Sequence, residues 1–163
     1  MIFVTVGTHE QQFNRLIKHM DEWAASHDEK IVMQTGYSTY KPQFCQWKKL
    51  YSYKEMIDLV EAARIVITHG GPASFIMPLQ IGKVPIVVPR QLQFGEHVNN
   101  HQLDFCTTVE KRYHNILLVK NIDELFRVID VYDEVCADLK IDSFKGNHEF
   151  NQSLEKIVQN LWN

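Results

Sequence analysis

The segment His69-Gly70-Gly71-Pro72-Ala73-Ser74 has the composition of a turn that holds a phosphate group. Paired glycines let the backbone approach a ligand closely and adopt positive φ angles. Pro72 suits the first turn of a helix, and the unpaired N–H groups and positive dipole of that turn attract anions. Ser74 adds a hydroxyl donor. The segment therefore predicts a diphosphate site, although a tight turn that needs glycine only for its shape has the same composition.

Two other segments carry polar residues next to short apolar runs. Gly7 and Thr8 follow the run at residues 2–6, and Arg90 follows the run at 84–88. Arg90 is a candidate to stabilise the charge of a departing diphosphate. The segment after Arg90 offers side chains that can hydrogen-bond a ribose or a sugar, namely Glu96, His97, Asn100, His101 and Gln102. A solvated helix face explains the same residues without a ligand.

Apolar, β-branched runs alternate with helical periodicities along the chain, which is typical of a parallel sheet with helices on both faces. The runs predict strands at residues 2–6, 31–35, 44–50, 65–68, 84–88 and 116–119. We therefore expect one domain over residues 1–163, a Rossmann-like, doubly wound α/β fold with a mostly parallel sheet of about six strands. Ligands of such sheets bind beyond the carboxyl ends of the strands, where the loops at Gly7 and Gly70 belong.

Helix boundaries are predicted from periodicity and from capping residues. Ser52 and Glu55 have the spacing of a capping box, and Asn121 and Glu124 repeat it. The predicted helices lie near residues 13–20, 52–60, 72–82, 96–109 and 121–131, with an amphipathic helix over 154–162.

Composition excludes several classes of function. The 17 Lys and Arg against 20 Asp and Glu give a net charge of −3, which offers no electrostatic reason to bind nucleic acid. The three cysteines include no Cys-x-x-Cys pair, and their sparse number suits a reducing cytoplasm. No run approaches the roughly 18 apolar residues of a membrane span.

Familiar catalytic and metal-binding motifs are also missing. His97 and His101 lie four residues apart, but Val98 stands where a zinc protease has glutamate. The sequence has no Asp-x-Asp pair, no P-loop and no Gly-x-Ser-x-Gly elbow. We therefore expect neither a metal nor another cofactor.

The loop at Gly7, the segment from His69 to Ser74 and the polar segment after Arg90 occur in a characteristic order. With them, the chain resembles the nucleotide-sugar-binding half of GT-B glycosyltransferases, the family 28 C-terminal domain. The resemblance rests on residues 3–8, on His69-Gly70-Gly71 with Ser74, and on residues 99–103. It is strongest to stand-alone forms of that half, such as the soluble subunit of the two-part N-acetylglucosaminyltransferase of N-glycan assembly. The segment 89–97 is most similar to bacterial capsule and exopolysaccharide β-1,4-galactosyltransferase subunits.

The resemblance implies a role for each group of residues. Tyr51, Ser52 and Tyr53 would hold the base, and Gly70 to Ser74 would take the diphosphate. Asn100, His101 and Gln102 would face the sugar or ribose, while Gly7 and Thr8 would line the cleft. Many relatives carry a glutamate for the ribose three residues after the serine of the glycine loop, where this chain has Met77. Glu96 could replace it, or nucleotide affinity could be lower.

The resemblance also implies a reaction, the direct displacement of UDP by a sugar hydroxyl with inversion and without metal. His9 and Glu10, just past the first loop, are candidates for the general base, although a helix N-terminal turn or a base from another chain is an equally good explanation. A non-catalytic nucleotide-sugar-binding regulatory subunit is the main alternative, and a flavodoxin-like protein is a third.

The implied donor is UDP-galactose, or else UDP-N-acetylglucosamine, and the implied acceptor is a lipid-linked saccharide. A complete GT-B enzyme has two such domains, and the acceptor binds to the other one, for which 163 residues leave no room. We therefore expect a cytoplasmic subunit that a membrane-attached, acceptor-binding partner recruits to the inner face of the membrane.

Overall fold

Six short apolar runs form the strands of a single sheet, and the computed structural model describes residues 1–139 of the chain. The strands are β1 (Ile2–Thr5), β2 (Ile31–Gln34), β3 (Gln46–Lys48), β4 (Ile65–His69), β5 (Ile86–Val88) and β6 (Leu117–Leu118). All neighbours pair in parallel, in the order β3-β2-β1-β4-β5-β6. The Rossmann-like, doubly wound fold is therefore confirmed, and the direction of winding reverses between β1 and β4.

Helices connect the strands and cover both faces of the sheet. They are α1 (Asn14–Ala24), α2 (Tyr53–Ala62), α3 (Pro72–Gln80), α4 (His101–Tyr113), α5 (Leu125–Asp130) and α6 (Tyr132–Asp138). Single 3₁₀ turns form at Leu92–Phe94 and Ile122–Glu124. No helix within residues 1–139 is long and apolar enough to cross a membrane. The helix predicted over 154–162 lies outside the described residues.

Alternate residues of each strand enter opposite cores, because successive side chains of a strand point to opposite faces. Ile2 and Val4 of β1 pack with α1 and with Leu125 and Ile129 of α5. Phe3, between them, packs against α2 on the other face. Since the side chains on both sides are apolar, both faces of the sheet are apolar, and the polar groups of interest lie at its carboxyl edge.

The helix that begins at Tyr53 starts and ends as the physical chemistry of helix caps requires. The Ser52 hydroxyl accepts a hydrogen bond from the Glu55 N–H, and the Glu55 carboxylate accepts one from the Ser52 N–H, which confirms the capping box. At the other end, Lys83 Nζ donates to the carbonyls of Val60, Glu61 and Ala63. These bonds satisfy carbonyls that the end of the helix leaves unpaired.

Two predicted helix starts are wrong. The fourth helix begins at His101 rather than at residue 96, since Gly95 adopts a left-handed φ of +63° and Glu96 turns inward to bond Arg15. The Asn121 side chain accepts a hydrogen bond from the Asp123 N–H instead of forming a capping box with Glu124. A 3₁₀ turn forms there, and α5 begins only at Leu125.

Candidate functional site

The two glycine loops meet at the point where the winding of the sheet reverses, because β1 and β4 are direct neighbours. Gly7 follows β1 with a φ of +73°, and an added Cβ would lie 2.4 Å from His69 Cε1. A Cβ on Gly71, after β4, would lie 2.4 Å from His69 Nε2. Both glycines are therefore required by close approach to one imidazole ring. Ligands of doubly wound sheets bind at this reversal point.

The His69 ring is a neutral support beneath this pair of loops. Burial, and secondarily the nearby Arg90 guanidinium, lower the pKa of His69 to about 3. His69 is therefore uncharged at neutral pH and shapes the floor of the site without adding charge to it.

The N-terminus of α3 faces this site without a side-chain cap. Gly71 is the N-cap residue, Pro72 occupies the first turn, and no side chain bonds the first amides. Ala73 is exposed and Ser74 is half-buried in that turn. An uncapped helix N-terminus with a glycine at the cap position can receive an anion through its backbone N–H groups and its dipole.

Gln102 ties the loops after β4 and β5 together. Its Oε1 accepts hydrogen bonds from the N–H groups of Gly70 and Arg90, each at 3.1 Å. A Cβ on Gly70 would lie 2.9 Å from Cys106 Sγ and 3.0 Å from Gln102 Cβ, so α4 packs directly on the glycine backbone. The Gln102 carbonyl oxygen thus positions the glycine loop.

Arg90 was expected to contact the diphosphate, and its position corrects that expectation. The side chain is fully buried, and its guanidinium donates to the carbonyls of Val6, Gln11, Gln12 and Glu96. Burial lowers its pKa to about 10, so the guanidinium stays charged at neutral pH. Arg90 therefore fixes the loop that carries His9 and Glu10 and does not reach the surface of the cleft.

The position of Glu96 corrects the expectation that this residue contacts the ribose. Its carboxylate is fully buried, accepts two hydrogen bonds from Arg15 at 2.8 and 2.9 Å, and accepts a third from the Gln91 N–H. It is therefore not available to replace the ribose-binding glutamate that many relatives carry at the position of Met77. Together Arg15, Arg90 and Glu96 lock the loop after β1 to the loop after β5.

Two histidines lie side by side where those loops meet. The rings of His9 and His97 are 5.2 Å apart between centroids and tilted by 33°. His9 is exposed and His97 is half-buried. Burial, followed by the neighbouring His9, lowers the pKa of His97.

Other predicted residues of this region are more exposed. Thr8 and Glu10 lie at the surface of the loop after β1. His101 is exposed at the start of α4, and the Asn100 carboxamide oxygen accepts a bond from the Leu92 N–H at 3.0 Å. His101 and Glu10 therefore have accessible side chains, whereas the oxygen of Asn100 is engaged with the backbone.

The three residues expected to hold a base lie at the carboxyl edge of β3. The half-buried Tyr51 ring stands edge-on against Phe3, with centroids 6.2 Å apart, and its N–H donates to Gln34 Oε1. Ser52 is engaged in the capping box, while Tyr53 is 75% exposed in the first turn of α2. Tyr53 therefore has an accessible aromatic side chain, whereas the exposed Ser52 hydroxyl is engaged with the Glu55 N–H.

Tyr53 also lines a shallow groove between α2 and α3, together with Ile57, Met77 and Ile81. Met77 packs partly against the core formed by Phe3, Val60 and Val66. The position that carries a ribose-binding glutamate in many relatives is therefore apolar here, and the side of the groove next to it is apolar as well.

Sequence patterns did not single out two positioning residues, Arg15 and Gln34. Gln34 ends the apolar strand β2, donates to Thr5 Oγ1 and accepts the Tyr51 N–H, so it joins the ends of three strands. The only sequence feature that could have identified Gln34 is its position as a polar residue at the end of an apolar run. Arg15 had none, because its partner Glu96 is 81 residues away.

No group of three or more potential metal-ligating side chains occurs among the residues that the structure describes. The arrangement as a whole offers an uncapped helix N-terminus, close-approach glycines and imidazole groups at one edge of the sheet. It can receive a phosphorylated ligand there, with an aromatic residue exposed on the β3 side.

Comparison with known families gives a match over most of the chain. The sequence model of the glycosyltransferase family 28 C-terminal domain matches residues 1–138. No curated protein sequence shows significant similarity to this chain.

Two solved structures share the fold. A structure titled as the glycotransferase of kitacinnamycin superposes with a TM-score of 0.60 and 15% identity, covering 89% of this chain and 37% of that one. The glycosyltransferase SnogD from Streptomyces nogalater superposes with a TM-score of 0.53 and 16% identity, covering 90% of this chain and 39% of that one. The chain therefore spans less than two-fifths of either protein.

Proposed function

Since this chain belongs to the family of glycosyltransferase family 28 C-terminal domains, we propose that it binds the nucleotide-sugar donor of a glycosyl transfer. One observation carries the proposal. Gly7 and Gly71 close over the His69 ring at the reversal point of the sheet, beside the uncapped N-terminus of α3. That arrangement puts a helix N-terminus without a side-chain cap where a diphosphate fits, and the glycines place no side chain in its path.

The proposed donor is a UDP-sugar, with galactose ahead of N-acetylglucosamine. The nucleoside lies on the β3 side near Tyr51 and Tyr53, and the diphosphate lies over Gly70 and Gly71. Backbone N–H groups and the helix dipole stabilise the charge that develops as UDP departs. A sugar hydroxyl attacks the anomeric carbon from the opposite face, and the configuration inverts.

The proton of the attacking hydroxyl needs a base. Glu10 is exposed on the loop after β1 and is the candidate from this chain. A carboxylate supplied by the acceptor-binding domain is the alternative.

The acceptor site belongs to a second domain in this proposal. The chain covers 37% and 39% of its two structural neighbours, so it corresponds to only part of either protein. We propose that a separate, membrane-attached subunit provides the acceptor site, presents a lipid-linked saccharide and recruits this chain to the inner face of the membrane.

Calorimetry with a panel of nucleotide sugars, and with UDP as reference, tests donor binding. Gly71→Val should weaken UDP binding at least about tenfold, because the branched side chain meets His69 and enters the phosphate path. Ala62→Val, on an exposed position at the end of α2, is the matched control and should bind as the parent does. Parental affinity in folded Gly71→Val would place the site elsewhere.

The same titrations with and without EDTA test whether binding needs a divalent metal. We propose that the backbone donors and the helix dipole suffice, so the two affinities should agree. A large gain on adding Mg²⁺ or Mn²⁺ would contradict this part of the proposal.

One observation favours a second candidate function, a non-catalytic nucleotide-sugar-binding subunit. Met77 makes the ribose position apolar, and Glu96 is buried and bonded elsewhere, so a polar ribose contact is missing from both positions. Binding of a nucleotide sugar without any transfer in the presence of acceptor-bearing membranes would favour this alternative.

A further inference from the structure

Backbone contacts determine which ring nitrogen carries the proton in the paired imidazoles of His9 and His97. His9 Nδ1 accepts the Gln11 N–H at 3.3 Å, and His97 Nδ1 accepts the Asn99 N–H at 3.4 Å. Each bond joins a ring to the amide two residues later in its own loop. A ring nitrogen that accepts an N–H carries no proton, so the proton of each neutral imidazole is on Nε2.

This tautomer excludes two roles for the pair. A neutral imidazole with its proton on Nε2 cannot take another proton there, which argues against the expected role of His9 as general base through its outer nitrogen. A metal-bound histidine usually donates its second ring nitrogen to a partner, whereas here that nitrogen accepts. Two Nε2–H donors remain, and the matching ligand is an oxyanion.

The position of the pair along the sheet edge indicates which oxyanion. Read across the strands, the edge carries Tyr51 after β3, Gly7 and His9 after β1, Gly71 after β4, and His97 after β5. His9 follows β1 on one side of the glycine loop after β4, and His97 follows β5 on its other side, so the pair joins the two loops that flank the glycine loop. A nucleotide whose base lies near Tyr51 and whose first phosphate lies at the glycine loop extends its distal phosphate toward the loop after β5, where the His97 ring lies against His9.

We propose that His9 and His97 form a two-donor subsite for the distal phosphate of the donor nucleotide. The inference rests on the proposed function, since it takes the nucleotide to lie along this edge. It assigns the imidazoles to the leaving group rather than to the attacking hydroxyl. The loop locked by Arg90 and Glu96 holds both rings in place.

Calorimetry with uridine, UMP, UDP and inorganic diphosphate tests the subsite. His9→Ala and His97→Ala should each weaken UDP binding about tenfold while changing UMP binding less than twofold. Inorganic diphosphate should follow UDP. The control is His27→Ala, which removes an imidazole that follows α1, at the opposite edge of the sheet. It should change none of the four affinities.

His97→Gln separates donation from proton transfer. The glutamine amide can place a donor near the position of Nε2 but cannot act as a base, so UDP affinity should stay within about threefold of the parent. The tautomers can be read directly from ¹⁵N shifts of the imidazole nitrogens, which should show protonated Nε2 in both residues.

The outcomes separate the two proposals. If UDP and UMP lose affinity equally in the alanine variants, or if either ring is protonated on Nδ1, the subsite is wrong while donor binding stands. If the parent binds inorganic diphosphate through the histidines but binds no nucleotide, donor binding is wrong and the anion site stands. Acceptor phosphate is the ligand instead if UDP affinity is unchanged and only the KM for a lipid-linked acceptor rises.

Discussion

Gly7 and Gly82 form a natural pair for measuring the cost of close approach at the site. Both have left-handed backbone, with φ values of +73° and +78°. An added Cβ meets the His69 ring at Gly7 and meets nothing within 4 Å at Gly82. The two residues thus share the backbone strain of an alanine substitution and differ in packing.

We predict that Gly7→Ala destabilises the domain more than Gly82→Ala. The left-handed backbone should cost about 1–2 kcal/mol in each variant. Overpacking against His69 should add roughly 1–3 kcal/mol at Gly7 alone. Urea denaturation of the two variants measures the difference, and equal losses would mean that the His69 ring moves aside freely.

The buried imidazole of His69 predicts a dependence of stability on pH. Burial keeps its native pKa near 3, whereas an unfolded histidine titrates near 6.5. Between these values the unfolded chain binds the additional proton, so the free energy of unfolding falls as pH decreases from about 6.5. Burial lowers the pKa of His19 and His97 as well, and both act in the same direction.

We predict that unfolding free energy, measured by urea denaturation from pH 7.5 to 5, falls by up to about 1.4 kcal/mol per pH unit from His69 alone. His69→Gln should reduce this slope, because glutamine does not titrate. A slope that is identical in the parent and in folded His69→Gln would assign the pH dependence to other groups.

At the scale of elements, α4 holds the ends of β4 and β5 in register through one side chain. Gln102 Oε1 accepts two backbone N–H groups, from Gly70 and Arg90. Leaving both without an acceptor has a cost in folding and also releases the glycine loop that is proposed to hold the diphosphate.

We predict that Gln102→Ala lowers the unfolding free energy by about 1–3 kcal/mol and weakens UDP binding. Gln102→Glu keeps an acceptor of the same length and should recover most of both losses. Denaturation and calorimetry on the two variants check this, and the idea fails if the glutamate variant is no better than the alanine variant.

Sequence patterns predicted β1, β2, β4 and β5 well because each is a buried run rich in β-branched residues. The glycine loops were predicted at the correct edge of the sheet because each directly follows a strand, and the strands of a parallel sheet all end at the same edge. The Ser52–Glu55 capping box was predicted correctly because both partners lie within one helical turn.

Long-range contacts account for what sequence patterns missed. The partners of Arg90 include carbonyls of Val6, Gln11 and Gln12, which lie 78 to 84 residues away and leave no local pattern. Glu96 begins no helix because its carboxylate is bound by Arg15, a contact visible only after folding. The edge strand β3 proved shorter than predicted, three residues with all their side chains exposed.

At the scale of the whole molecule, we predict that this chain transfers no sugar without a partner. The chain is proposed to bind the donor, and the proposed acceptor site lies on a second subunit. Sugar transfer to a lipid-linked acceptor should be measured with the purified chain, then with membranes that carry a candidate partner. Activity should require the membranes, and efficient transfer by the chain alone would refute the two-part arrangement.

The contact of two glycines with one imidazole has an evolutionary consequence. Positions 7, 69 and 71 form a single steric unit, because a Cβ at either glycine would overlap the His69 ring. A lineage can therefore accept a larger residue at position 7 or 71 only after position 69 has become smaller. Among diverging relatives the three positions should covary, and the substitution at position 69 should come first in reconstructed ancestors.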